Sequence, residues 1–280
     1  MRDVLLQIDT YAEPTQAAVI EQAAKFVALL GGRIAGLATH IDITVPRNWL
    51  AEKLLNVSQL AEIEEGKSLA AARRSLQLLA EIASTVGVEQ DGRIGRSPLH
   101  GVGGFIAECA RTRDLCLVAV GLPGDSQRGV AEEIIFGSGR PVLVFHPERA
   151  PLPKDQLKRV AVAWDGSRCA ARAAADAIPI LCKALEVRIL TVVGEKKAAT
   201  SGIACDLVRH LRAHDIQAQV DEFEGRDRSI GASLDAYCDE HSPDLLVMGA
   251  YGTSRVKEFL LGGATEHILN AGRVATFLSH

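Results

Sequence analysis

The sequence predicts an α/β protein built from two doubly wound, open parallel-sheet domains, Rossmann-like and of about five strands each, paired within one chain as a pseudo-dimer. Three observations carry this. Short apolar runs alternate with helical stretches of ten or more residues, the mark of βαβ units. The runs are apolar almost throughout, as expected when helices cover both sheet faces. The alternation also occurs twice, on either side of a Pro-rich, charged stretch at 148–156.

The elements follow in order. Val4-Leu-Leu-Gln-Ile8 is a strand that stops at Asp9. An Ala-rich helix is predicted over 15–30, closed by Gly31-Gly32, and a strand over 34–40. After Pro46, Trp49 and a charged stretch comes a long helix at 69–83. A helix ending near Asp114 leads into a strand from Leu115 to Val120, with Gly121 after it. A short helix at 131–136 and a strand at 141–145 close the first half. Gly137-Ser-Gly139 reads as that helix's C-terminal cap, where glycine is favoured for positive φ.

The second half restarts with Val160-Ala-Val-Ala-Trp164-Asp165, then a helix over 167–185 in which Ser167 is the natural N-cap. A strand over 187–193, a helix over 204–214, a strand at 245–248, a helix at 265–269 and a strand at 274–278 complete it. With Asp9 matched to Asp165 and Gly121 to Gly249, the second copy is shorter by about 28 residues, an excess placed in 42–68. The expected domains are 1–147 and 156–280. Their final strands are expected to pair, because an exposed apolar edge strand invites pairing.

Composition excludes several classes. Lys+Arg is 31 against Asp+Glu 35, which leaves no basic field for a nucleic acid backbone. Aromatic residues are 4%, too few for base-stacking platforms. The six cysteines are scattered without a C-x-x-C pair, as in a reduced protein. No apolar run reaches the ~18 residues of a membrane span. These features predict a cytoplasmic chain without nucleic acid or membrane partners.

Open α/β sheets bind ligands beyond the carboxyl ends of their strands. The strongest local pattern lies there: Gly249-Ala-Tyr-Gly252, nine residues, then Gly262-Gly263-Ala-Thr265 opening a helix. Glycines let backbone amides approach a phosphate, and a helix N-terminus supplies unpaired N–H donors. The bland alternative is a turn followed by a flexible cap. His210 and His214 share a helix face with Cys205 nearby, but metal sites need three or four converging ligands, so a solvated face is the better reading. Gly101-Val-Gly103-Gly104 resembles half a dinucleotide fingerprint, but no convincing strand precedes it, so it reads as a helix-start loop. No Ser/His/Asp or Cys/His spacing supports covalent catalysis.

Val-Ala-Trp-Asp165-Gly-Ser167, Asp244-Leu-Leu-Val-Met-Gly249-x-x-Gly252 followed by nine residues and Gly262, and the closing Val-Ala-Thr-Phe-Leu-Ser-His280 together resemble the universal stress protein family. The chain looks like a tandem of two such domains, with the resemblance more specific in 156–280. It implies a regulatory, non-catalytic role in stress response, with an unknown protein partner. It further implies an adenine nucleotide, ATP or ADP, with Mg accompanying it and no other metal. By resemblance, Asp165 lies near the adenine, backbone groups near Val192 and Val193 line the site, and Gly249, Gly252, Gly262 and the next residue face ribose and phosphates. Gly263 stands where a Ser or Thr is expected, and the nearest hydroxyl is Thr265. The loop after Gly121-Leu-Pro-Gly124 is shortened by about six residues if Ala131 matches Thr265, so the first half is not expected to hold a triphosphate. The alternatives are a scaffold without nucleotide and a slow ATPase, for which Glu258, Glu266 and His267 lie close in sequence. A homodimer of the chain stays open.

Overall fold

The computed structural model describes residues 1–44, 57–121, 127–193, 202–225, 228–250 and 263–280. The first half contains β1 (Asp3–Ile8), α1 (Ala17–Leu30), β2 (Arg33–Asp42), α2 (Val57–Val86), β3 (Gln90–Pro98), α3 (Val102–Ala110), β4 (Leu115–Ala119), α4 (Gln127–Gly137) and β5 (Val142–Phe145). The second contains β6 (Arg159–Ala163), α5 (Arg168–Leu181), β7 (Glu186–Val193), α6 (Cys205–Arg212), β8 (Ala218–Glu224), α7 (Ile230–His241), β9 (Leu245–Gly249), α8 (Gly263–Ala271) and β10 (Thr276–Ser279).

All the strands join one sheet in the order β3-β2-β1-β4-β5-β10-β9-β6-β7-β8. Each half thus has the same doubly wound order. The final strands pair antiparallel at the seam, with Leu143 opposite Phe277, as expected from their apolar sequences. Helices α1, α2, α5 and α6 cover one face, and α3, α4, α7 and α8 the other. Each of the two cores is continuous across the seam, which is why both strand faces had to be apolar.

The halves repeat down to single hydrogen bonds. Asp114 Oδ2 accepts from the N–H groups of Arg2 and Asp3 at 2.7 and 3.1 Å. Asp244 Oδ2 accepts from those of Lys158 and Arg159 at 2.6 and 2.9 Å. Val120 N–H donates to Phe145 O at 2.9 Å, and Ala250 N–H to Ser279 O at 2.8 Å. These bonds correct the matching of Gly121 with Gly249, because the counterpart of Gly249 is Ala119. The interval from Ala119 to Ala131 is 12 residues and that from Gly249 to Thr265 is 16, so the first loop is shorter by four residues and not six.

Other boundaries also move. The charged stretch after residue 57 belongs to α2, which is much longer than the predicted 69–83 helix. Its outer face is solvated, so charge did not mark a loop. Strand β3 ends at Pro98 and a 3-10 turn over Leu99–Gly101 follows it, so a strand does precede the Gly101 loop, against expectation. It was missed because it is an edge strand with mostly exposed residues. Gly103 still has a packing reason. A Cβ there would come within 2.7 Å of Glu133 Cβ on α4.

Candidate functional site

In the second half the strand order reverses between β9 and β6, and Asp165 and Gly249 stand at the carboxyl ends of these two strands. Asp165 ends β6 in an exposed turn. Its Oδ1 accepts the Ser167 N–H at 2.9 Å, and Ser167 Oγ caps α5 by accepting from Ala170 N–H at 3.1 Å. Gly166 has φ +71°, a left-handed conformation that glycine adopts without strain. A Cβ there would meet Ile203 Cδ1 at 2.7 Å. Trp164 Nε1 donates to Ile203 O at 3.1 Å, so residues 202–204 fold against the turn. Asp165 makes no other hydrogen bond among the described residues.

Val192 and Val193 end β7 beside this turn and are half-buried. The Val193 carbonyl accepts from Gly225 N–H at 3.0 Å, which leaves one of its two lone pairs for a ligand. Gly249 ends β9 under the first turn of α5. A Cβ on it would lie 2.5 Å from Cys169 C and 2.6 Å from Ala170 N, so helix and strand touch through its Cα. Gly263 opens α8 and is exposed, with open space where a Cβ would be. Thr265 lies in the first turn of α8 and is 2% exposed. Gly252 and Gly262 lie outside the described residues.

The corresponding end of the first half is filled. Gln7, itself 1% exposed, donates from Nε2 to Asp9 Oδ1 at 2.7 Å. Asp9 N–H donates to Thr15 Oγ1 at 2.7 Å. The Thr10 hydroxyl donates to Thr39 O and sits 2.7 Å from Ser68 Oγ, which also accepts from Ile41 N–H at 3.0 Å. Glu65 Oε1 takes Ile43 N–H at 2.8 Å. Residues of α2 therefore seal the carboxyl ends of β1 and β2.

A cavity of about 270 Å³ lies at the start of α5, lined by Arg168, Cys169, Arg172 and His280. It is below the ~300–1,000 Å³ usual for small-molecule pockets. Arg172 is held there by Asp176 at 2.7 Å and by Gly139 O of the first half at 3.3 Å. Sequence reading missed this cluster, whose only linear sign is the two arginines one helical turn apart. The rings of His210 and His214 meet edge to face at 5.0 Å. Among the described residues no group of three or more His, Cys, Asp or Glu could hold a metal. Burial pushes the thiols of Cys116 and Cys238 up to about 12, which disfavours the thiolate form of both. No helix of the described residues is long and apolar enough to cross a membrane.

Residues 156–277 match the sequence model of the Universal stress protein family. Over the whole chain the fold is similar to that of a universal stress protein from Archaeoglobus fulgidus DSM 4304, at TM-score 0.70 and 17% identity, covering 98% of this chain and 95% of that one. It is also similar to a candidate universal stress protein from Pseudomonas aeruginosa UCBPP-PA14, at TM-score 0.54 and 11% identity, covering 100% and 93%. A shorter universal stress protein in complex with cAMP matches 44% of this chain and 97% of its own at 17% identity, with TM-score 0.34. No curated protein matches the chain. Residues 156–277 are thus a universal stress protein domain, set in a chain that has the fold of universal stress proteins from end to end.

Proposed function

We propose that the chain is a tandem of two universal stress protein domains, 1–147 and 156–280, in which only the second takes an adenine nucleotide. Its role is regulatory, in the cytoplasm, with no chemical step. The observation that carries this reading is the contrast between two aspartates. Asp165 presents an exposed carboxylate at an open switch point, while Asp9 is tied to the buried Gln7 and to Thr15. The nucleotide would lie across Asp165, the end of β7, Gly249 and the first turn of α8, with Mg neutralising its phosphates. The exposed Gly263 offers backbone but no hydroxyl to the terminal phosphate, so ATP gains little over ADP.

Thermal melting with millimolar ATP, ADP and AMP tests this. A ligand at about 100 times its Kd stabilises by ~2.7 kcal/mol, a readable shift. Asp165→Ala should weaken the shift and lower the unliganded midpoint only slightly, because the bond it loses, to Ser167 N–H, is exposed. Asp9→Ala should keep the shift but lower the midpoint, a cost of about 1 kcal/mol, since Gln7 Nε2 loses its shorter hydrogen bond and keeps the one to Gln127 Oε1 at 3.4 Å. Gly263→Ser should favour ATP over ADP by roughly tenfold or more, the worth of one hydrogen bond to a charged group. If no nucleotide moves the midpoint of either the wild type or the Ser variant, the chain is an interaction scaffold.

A further inference from the structure

The seam between the halves carries an asymmetry. β5 and β10 correspond at a spacing of 134 residues, with Leu143 opposite Phe277. The same spacing carries Gly129, Ala131 and Glu132 of α4 onto Gly263, Thr265 and Glu266 of α8. Burial agrees, because Ala131, Ile134 and Ile135 match Thr265, Ile268 and Leu269. One position earlier the correspondence breaks. Arg128 stands at the sequence position that Gly262 has in the second half.

The Arg128 guanidinium crosses the seam. Its Nε donates to Glu132 Oε1 at 3.1 Å, its Nη2 to Glu266 Oε1 at 3.2 Å and its Nη1 to Asn270 Oδ1 at 2.9 Å. Glu132 and Glu266 are equivalent positions, so one cation is shared by two related carboxylates. Glu266 lies in the first turn of α8, three residues from Gly263. A helix N-terminus attracts anions, and a carboxylate in its first turn both uses that attraction and repels a phosphate brought there.

We propose that Arg128 is a positioning residue lent by the first half to the second: it neutralises Glu266 and tethers α8, so that the start of this helix accepts a polyphosphate. The proposal rests on the adenine-nucleotide reading above. It gives the lost glycine of the first half a consequence, since the residue that replaces it supplies the cation. Partial burial lowers the Arg128 pKa, yet the bonds to Glu132 and then to Glu266 outweigh it and hold the guanidinium above its ordinary value.

The test is titration calorimetry of ATP, ADP and AMP against the full chain and its Arg128→Gln, Glu266→Gln and doubly substituted variants. Arg128→Gln should weaken ATP roughly three- to tenfold and AMP less than about twofold, because the uncovered Glu266 charge acts on each added phosphate. The double variant should return ATP to within about twofold of the wild type. The bonds of the half-buried Arg128 brace α8, so Arg128→Gln should lower the unliganded melting midpoint modestly, an effect that does not discriminate among the three nucleotides. An equal loss for all three nucleotides that the double variant does not recover would mean that Arg128 only braces the helix, and would overturn the proposal. So would unchanged ATP binding in Arg128→Gln, which leaves the nucleotide reading standing. A wild type that binds no nucleotide overturns both.

Discussion

Helix α2 runs for 30 residues where its counterpart α6 runs for 8, and among the described residues only α2 places side chains over the carboxyl ends of the first two strands of its half. The extra turns of α2 bring Glu65 and Ser68 over the ends of β1 and β2, where they satisfy Ile43 N–H, Ile41 N–H and the Thr10 hydroxyl. Buried polar groups of this kind are costly unless paired, so the network acts as a structural plug. In the second half nothing comparable reaches Asp165 among the described residues. A repeated fold can therefore fill the strand ends of one half with its own polar side chains and keep the strand framework of both halves unchanged.

The largest effect expected from this comparison is at the seam, the one place where the halves must behave alike. Phe277→Ala should cost about 3–5 kcal/mol and Leu143→Ala about 2–5 kcal/mol, since both side chains are fully buried. Both cores run through the seam, so calorimetry should show a single transition for the wild type and for each variant. Two separate transitions would break the picture of one cooperative sheet.

Next in size is the pair Gly249 and Ala119, which hold equivalent strand positions. The turn from β6 to α5 spans Trp164 to Ser167, whereas β1 and α1 are separated by residues 9–16. The tight turn draws the backbone of α5 onto Gly249, and a Cβ there would fall 2.5 Å from Cys169 C. Gly249→Ala should cost about 1–3 kcal/mol through this overlap. Ala119→Gly should cost only ~0.5–1 kcal/mol, from added backbone freedom. Urea denaturation measures both, and equal losses would remove the packing distinction between the two ends.

The fold was legible where burial is two-sided. β4 and β9 read as unbroken apolar runs because helices cover both of their faces, and Asp9 and Asp165 marked the strand ends. β3 was not legible: Gln90-Asp-Gly-Arg-Ile-Gly-Arg-Ser-Pro98 is an edge strand whose ladder with β2, not its side chains, defines it. The start of α2 was hidden by its own solvated face. Gly121 misled because the match was made on residue type, while the bonds of Val120 and Ala250 fix the register. Asp165 and Gly249 could be found from strand-then-Asp and strand-then-Gly patterns. Arg128 could not, because its meaning depends on Glu266 and Asn270, partners 138 and 142 residues away. Linear spacing carries no sign of such a contact.

The smallest effect expected is one of pH, and it too separates the halves. His146 and His280 occupy equivalent positions, each following the residue whose carbonyl accepts from Val120 or Ala250 N–H. Their Nδ1 atoms have opposite tasks. His146 Nδ1 accepts the N–H groups of Glu148 at 3.2 Å and Arg149 at 3.0 Å, so it must be unprotonated. His280 Nδ1 lies 3.0 Å from the Ala250 carbonyl and must carry its proton to donate. Burial, and then the charge of Arg149, lower the His146 pKa below its ordinary 6.5, against an opposing pull from Glu148. The folded value is thus below the unfolded one, and between them the unfolded chain binds more protons. Its contribution to stability is complete above the unfolded value and is lost as pH falls through the folded value. The turn that loosens is the one from His146 to Ala150, which Arg149 Nε anchors to Gly272 O of the second half at 3.1 Å. The melting midpoint of the wild type should fall between about pH 7.5 and about pH 5, and His146→Asn should fall less, since Asn Oδ1 accepts the same two N–H groups without titrating. If the midpoint of the His146 variant falls as steeply as that of the wild type, the accepting role of the His146 Nδ1 atom does not set the pH dependence.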